Sequence, residues 1–117
     1  MRLNEITFND ALPIDGYGPG FFRIGDEAVE GPLTVSPSGV GAWGGYDDAE
    51  ALLALAGAVD VLFVGTGPEI AHLPAGLRGK LEDAGLGVEV MASPAACRTY
   101  NVLLAEGRRV AAALLPV

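Results

Sequence analysis

Two short segments of the chain carry residue types that bind small anions. Gly65-Thr66-Gly67 follows a β-branched apolar run, and Ser93-Pro94 begins a helical pattern that continues through Arg98. The N-terminus of a helix carries unpaired N–H groups and a partial positive charge, and both favour an anion. Small residues let a ligand approach the backbone, and a guanidinium group can bind a carboxylate or phosphate through two hydrogen bonds. The pattern predicts a small anionic-ligand site that comprises Gly65, Thr66, Gly67, Ser93, Ala95, Ala96 and Arg98.

The same residues also fit a purely structural interpretation. Ser93 is a residue type that caps a helix, because its hydroxyl can accept a hydrogen bond from an unpaired backbone N–H group. The two alanines would then let the helix pack closely on a sheet, and Arg98 would pair with a surface carboxylate. The residues alone leave both interpretations open.

The chain has one cysteine, Cys97, and one histidine, His72. A thiol near the N-terminus of a helix can have a lowered pKa, and a nearby imidazole can act as its base. Cys97 is therefore a candidate reactive thiol. The alternative is that Cys97 is a small buried apolar residue and His72 a solvated loop residue. No catalytic residue is assigned, and a metal site is not expected because zinc sites use several Cys or His ligands.

Charge and hydropathy exclude several classes of function. The chain has 15 acidic and 7 basic residues, a net charge of −8, which does not favour nucleic acid as a partner. Its longest apolar stretch, 51–64, is interrupted by Gly57 and Asp60, so membrane insertion is not expected. Residues 1–10 lack the features of a signal peptide or a mitochondrial presequence, which predicts a cytoplasmic protein. Neither a dinucleotide fingerprint nor a phosphate-binding loop is present, so no cofactor is expected.

The order of predicted elements indicates one α/β domain over residues 1–117. The first half is β-rich, with strands at 3–8, 21–24, 28–30, 33–35 and 40–43, and a glycine-rich loop at 15–20. The second half predicts strand, helix, strand, helix and strand at 59–64, 74–84, 86–91, 93–106 and 109–115, after a helix at 49–56. Parallel pairing by crossover connections would place the turns after 64 and 91 at one edge of the sheet.

Two further features concern packing. Asn101 lies in the middle of the last helix, where asparagine is a poor helix former and a poor core residue, so we expect it to bond to the backbone of a neighbouring segment. Tyr17, Phe21, Phe22 and Trp43 lie among glycines. These aromatic residues form either a partner-binding patch or a cover for the open end of the sheet.

Three stretches together identify a resemblance. They are GPGFFRIG (18–25), VGTG (64–67) and VEVMASPAACRTYNVLLAEGR (88–108). The chain resembles the family called domain of unknown function 498, which includes a mitochondrial complex I assembly factor. The resemblance implies a three-layer α/β fold with a mixed central sheet. It also implies protein–protein contact with assembly intermediates of the respiratory chain, a role assigned for the mitochondrial members.

The resemblance supplies no catalytic residues. The sequence therefore favours a non-enzymatic interaction module with a protein partner. The alternative is a protein or enzyme that binds a small anion at Gly65–Gly67 and the Ser93 helix N-terminus.

Overall fold

The computed structural model describes residues 12–117. Within that range the elements follow in the order β1 (Ile14–Gly18), β2 (Phe21–Ile24), β3 (Glu27–Glu30), β4 (Leu33–Ser36), β5 (Gly39–Ala42), α1 (Ala49–Leu53), β6 (Val61–Thr66), α2 (Ala75–Asp83), β7 (Gly87–Met91), α3 (Ser93–Ala105) and β8 (Val110–Leu115). The predicted strand at 3–8 lies outside the described residues.

A mixed sheet of five strands forms the centre of the fold, in the order β5-β4-β8-β6-β7. Strand β6 pairs in parallel with both β7 and β8, and β4 pairs antiparallel with β5 and β8. Leu62 lies opposite Val88 in β7 and opposite Ala111 in β8. The prediction that the stretches around 59–64 and 88–91 run side by side in the same direction is therefore confirmed.

Alternating side chains divide the interior into two apolar cores, one on each face of this sheet. Phe63 belongs to the core beneath α3, with Ala96 and Tyr100. Its neighbours Leu62 and Val64 belong to the opposite core, beneath α1 and α2. Strands covered on both faces are largely apolar, as β8 is throughout and β6 is from Val61 to Val64. The result is the three-layer α/β arrangement that the resemblance implied.

A second sheet of three strands, in the order β1-β2-β3, lies on the α3 side. Ile14, Phe22 and Ile24 are buried in the same core as Tyr100. The hairpin predicted at 21–30 is confirmed, but the prediction of a loop at 15–20 is wrong over most of its length. Residues 14–18 form β1, because their backbone pairs antiparallel with β2.

Helix ends follow local signals, with small differences from the prediction. Asp48 caps α1, since its carboxylate accepts a hydrogen bond from Ala51 N at 3.3 Å. Helix α1 ends at Leu53, three residues before the predicted end, and the chain continues in turns. Gly107 follows α3 with φ of 82°, a left-handed conformation that glycine adopts readily and that ends a helix.

Candidate functional site

The carboxyl ends of β6 and β7 lie side by side, and the turns that follow them are directly bonded. Ser93 N donates to Gly67 O at 2.8 Å, and Gly67 N donates to Ser93 Oγ at 2.9 Å. The structure therefore brings together Gly65, Thr66, Gly67 and Ser93 of the predicted anion site. We call these four residues the rim.

Ser93 is the centre of the rim, and its hydroxyl is fully buried. Besides accepting from Gly67 N, Ser93 Oγ donates to Leu115 O at 2.6 Å, so it joins the ends of β6, α3 and β8. Ser93 is the first residue of α3, and the N-cap position is Ala92, which makes no side-chain capping bond. The expectation that Ser93 caps its own helix is wrong, because the hydroxyl bonds to distant strands instead.

The absence of a side chain at Gly65 allows the first residue of α3 to pack closely against β6. A Cβ at this position would lie 2.7 Å from Ser93 Oγ and 2.8 Å from Ser93 Cα. It would also lie 2.9 Å from a methyl carbon of Leu114. At Gly65, Ser93 itself therefore approaches the backbone closely.

Thr66 organises the loop that follows β6. Its hydroxyl donates to Glu69 O at 2.7 Å and accepts from Ala71 N at 3.0 Å. The rim hydroxyls of Thr66 and Ser93, and the N–H of Gly67, thus already bond within the protein. An anion would have to displace these bonds, and anion binding at the rim stays a prediction.

The other predicted site residues lie on α3. Ala96 is fully buried against the sheet and Ala95 is half-buried, whereas Arg98 is exposed. Arg98 lines an open groove of about 380 Å³ together with Thr99, Val102 and Leu103. We call these four residues the α3 groove.

The predicted site omitted Thr99, Val102 and Leu103. The sequence signal that could have revealed them is Val102. It is an apolar residue four positions after Arg98, and it does not lie on the helix face that carries Ala96 and Tyr100. Val102 has 56 % of its surface exposed in a helix whose opposite face is core.

Cys97 is buried in the core beneath α3, with 4 % of its surface exposed. Burial raises the pKa of the thiol to about 11, although the nearby charge of Arg98 acts in the opposite direction. His72, the proposed partner, is exposed on the loop between β6 and α2. The shift is opposite to the one that a reactive thiol requires, because a nucleophilic cysteine needs its thiolate near neutral pH.

The prediction that Asn101 bonds to the backbone of a neighbouring segment is confirmed, and that segment is β1. Asn101 Oδ1 accepts from Ile14 N at 2.8 Å, and Asn101 Nδ2 donates to Ile14 O at 2.8 Å. Next to it, the hydroxyl of Tyr100 donates to Leu12 O at 3.2 Å, and burial raises the pKa of that hydroxyl. Helix α3 thereby holds the small sheet against the main one.

The aromatic residues of the first half divide between core and surface. Phe22 and Trp43 are buried, and Trp43 Nε1 donates to Asp48 O at 3.1 Å. Phe21 is half-buried, and Tyr17 is 45 % exposed. Phe22 and Trp43 therefore serve packing, and of the four only Tyr17 has the exposure that a partner-binding patch needs.

Residues 12–117 contain neither a cluster of metal-binding side chains nor a membrane-spanning helix. In that range no three His, Cys, Asp or Glu side chains are grouped so that they could hold a metal ion. None of the helices within it has the length and apolar character needed to cross a membrane.

Most of the chain matches a known family. Residues 14–115 match the family described as Protein of unknown function (DUF498/DUF598). The chain belongs to this family. An uncharacterized protein of Rhodobacter capsulatus is 54 % identical over 117 residues, which cover all of this chain and 94 % of the relative.

Other members carry a functional name. NADH dehydrogenase (ubiquinone) 1 alpha subcomplex assembly factor 3 of Danio rerio is 37 % identical over 88 % of this chain and 63 % of its own length. The assembly factor 3 of Homo sapiens is 33 % identical over 91 % of this chain and 61 % of its own length. The chain thus spans less than two thirds of the length of these assembly factors.

Solved structures share the architecture. An outer membrane protein from Bartonella henselae superposes with a TM-score of 0.84 at 38 % identity, covering 93 % of this chain and 98 % of that one. A Mth938-like domain from Bordetella pertussis superposes with a TM-score of 0.76 at 30 % identity, covering 99 % and 92 %. The family fold therefore extends over nearly the whole chain.

Proposed function

We propose that the protein is a non-enzymatic interaction module that takes part in the assembly of a respiratory NADH dehydrogenase through direct protein contact. The observation that carries the proposal is the similarity to assembly factor 3 over most of this chain, 88 % for the Danio rerio protein and 91 % for the human one. The family match at residues 14–115 covers every described element, which supports a shared module that comprises the whole α/β unit.

The α3 groove supports contact with a protein. Val102 is 56 % exposed, and the groove combines it with the half-buried Leu103 and with Arg98. Protein interfaces have apolar centres in which arginine is enriched. Helix α3 is also fixed on its inner side by Ser93, Tyr100 and Asn101, so its outer face is rigid before a partner binds. A rigid surface loses less conformational entropy on binding.

The partner we propose is a component of the NADH dehydrogenase complex, and capture from cells tests it. Tagged protein would be isolated from lysate of its native organism, and the co-purifying NADH dehydrogenase subunits would be quantified. We expect Val102→Glu to lower their recovery about tenfold or more, because a buried charge at an interface centre costs at least as much as the loss of a central contact.

Ile70→Glu is the matched control. Ile70 is 68 % exposed, so the same change in charge and polarity occurs at another exposed apolar residue. Both variants should keep the native circular dichroism spectrum, because neither side chain is in a core. Equal recovery with Val102→Glu and with the unchanged protein would exclude the α3 groove as the contact, and no enrichment of NADH dehydrogenase subunits with the unchanged protein would overturn the proposed function.

A further inference from the structure

A second concave surface lies between α1 and the β4–β5 edge of the main sheet. It is an open depression of about 290 Å³. One wall carries the hydroxyls of Thr34, Ser36 and Ser38, and the other carries Ala51, Ala54 and Leu55. We call this surface the cleft. Strand β8 lies between the β4–β5 edge and β6, and so separates the cleft from the rim.

The pairing of the strands explains why the cleft is open. Thr34 lies opposite Gly41 in β5 and opposite Ala113 in β8, and Ala113 belongs to the core beneath α1 and α2. Thr34 and Gly41 therefore face α1. Strand β5 places a second glycine, Gly39, opposite Ser36 on the same face. Helix α1 ends at Leu53, and no heavy atom of the described residues lies within 4 Å of the position that a Cβ of Gly39 would take, whereas a Cβ on Gly41 would lie 3.0 Å from Thr34 Oγ1.

The hydroxyl of Thr34 points to a ligand. Thr34 is 7 % exposed, and the hydrogen bond that it makes within the described residues, to Gly41 O, is 3.5 Å long. Hydroxyl groups in proteins normally bond at about 2.5–3.0 Å. By contrast, Ser36 Oγ lies 2.9 Å from Ser38 Oγ and also accepts from Ser38 N at 3.2 Å. A buried hydroxyl without a short bond is unfavourable, and a ligand that bonds to it removes that penalty.

We propose that the cleft binds a small uncharged molecule with a flat apolar body and one carbonyl, amide or hydroxyl group. The described lining residues carry no formal charge, and a charged ligand would lose hydration without gaining a counter-charge. The glycines give a flat floor, Ala54 and Leu55 give an apolar wall, and Thr34 bonds to the polar group. The volume lies at the lower end of the range for ligand sites, which restricts the ligand to small molecules.

Benzamide and benzoate are suitable probes, since they share one shape and differ in charge. Each would be titrated at millimolar concentrations into ¹⁵N-labelled protein and followed by amide chemical shifts. We expect benzamide to shift resonances of residues 34–42 and 51–55 in a saturable manner, and benzoate to bind at least about tenfold more weakly. Thr34→Val, which keeps the shape and removes the hydroxyl, should weaken benzamide about tenfold.

Two further variants complete the test. Thr99→Val is the matched control, because Thr99 is a half-buried threonine on α3 and lies in the α3 groove. It should bind benzamide like the unchanged protein. Ala54→Leu places a larger side chain in the cleft from an exposed position directly after α1 and should abolish the shifts without unfolding α1. Absence of saturable benzamide shifts at residues 34–42 would overturn the proposal, as would unchanged binding by both Thr34→Val and Ala54→Leu.

Discussion

The rim and the cleft are built from the same residue types, a glycine on a strand and a buried hydroxyl beside it. At the rim the hydroxyl of Ser93 makes bonds of 2.6 Å to the backbone of Leu115 in β8 and 2.9 Å to the backbone of Gly67, directly after β6. At the cleft, the bond that the hydroxyl of Thr34 makes within residues 12–117 is 3.5 Å long. The difference shows that glycine and hydroxyl in a sequence do not by themselves mark a ligand site. What distinguishes a structural hydroxyl from an available one is whether the fold already supplies its partners.

The largest effect should come from adding a methyl group at the rim. Gly65→Ala places a Cβ 2.8 Å from the backbone of Ser93, which cannot move without shifting α3, so we expect a loss of about 2–3 kcal/mol in the free energy of unfolding. Gly41→Ala is the matched change at the cleft. Its Cβ would lie 3.0 Å from the rotatable hydroxyl of Thr34, and we expect a loss of about 1 kcal/mol or less. Urea denaturation measures both values, and equal losses would remove the distinction between the two regions.

Removing the hydroxyl group should lower the free energy of unfolding at the rim but not at the cleft. Ser93→Ala leaves Gly67 N and Leu115 O without their side-chain partner, and we expect a loss of about 2 kcal/mol. Thr34→Val removes a buried hydroxyl whose bond to the described part of the chain is long, so stability should be unchanged or rise by up to about 1 kcal/mol. A loss for Thr34→Val as large as that for Ser93→Ala would show that the threonine hydroxyl is satisfied, and the cleft would then resemble the rim.

Alkaline pH should lower the free energy of unfolding, because the thiol of Cys97 is buried in the core beneath α3. The pKa of this thiol is raised from its ordinary value of 9.0 to about 11, because burial penalises the thiolate. The protonated thiol is therefore favoured in the folded state, and the stabilisation is complete below pH 9 and is lost as the pH rises through about 11. We expect a loss of about 2 kcal/mol across this interval that Cys97→Ala does not show. If the free energy of unfolding falls in parallel for the two proteins from pH 8 to 11, the loss does not come from Cys97.

The main elements followed from local sequence signals. Pro94, Gly85 and Gly107 mark helix boundaries within a few residues, and the apolar run around Leu62 and Val64 indicated a strand covered on both faces. These signals act over a few residues, so they can be interpreted without the rest of the chain. They sufficed to place the ends of β6 and β7 at one edge.

The features that the sequence did not reveal depend on distant partners. The Ser93 hydroxyl bonds to residues 26 and 22 positions away, so a local capping rule assigned it wrongly. Strand β1 is held by Asn101, which is 87 positions from Ile14, and its own composition of glycines indicated a loop. The cleft required the register that places Thr34 opposite Gly41, and this register is not encoded in either strand alone.

The proposed assembly role is tested most directly by site-specific cross-linking in cells. A photoreactive amino acid at position 102, in the α3 groove, would be compared with the same group at position 70. The account predicts covalent products with NADH dehydrogenase subunits from position 102 and few or none from position 70. Products from position 102 that contain no NADH dehydrogenase subunit, or none at all while the protein is folded and expressed, would contradict it.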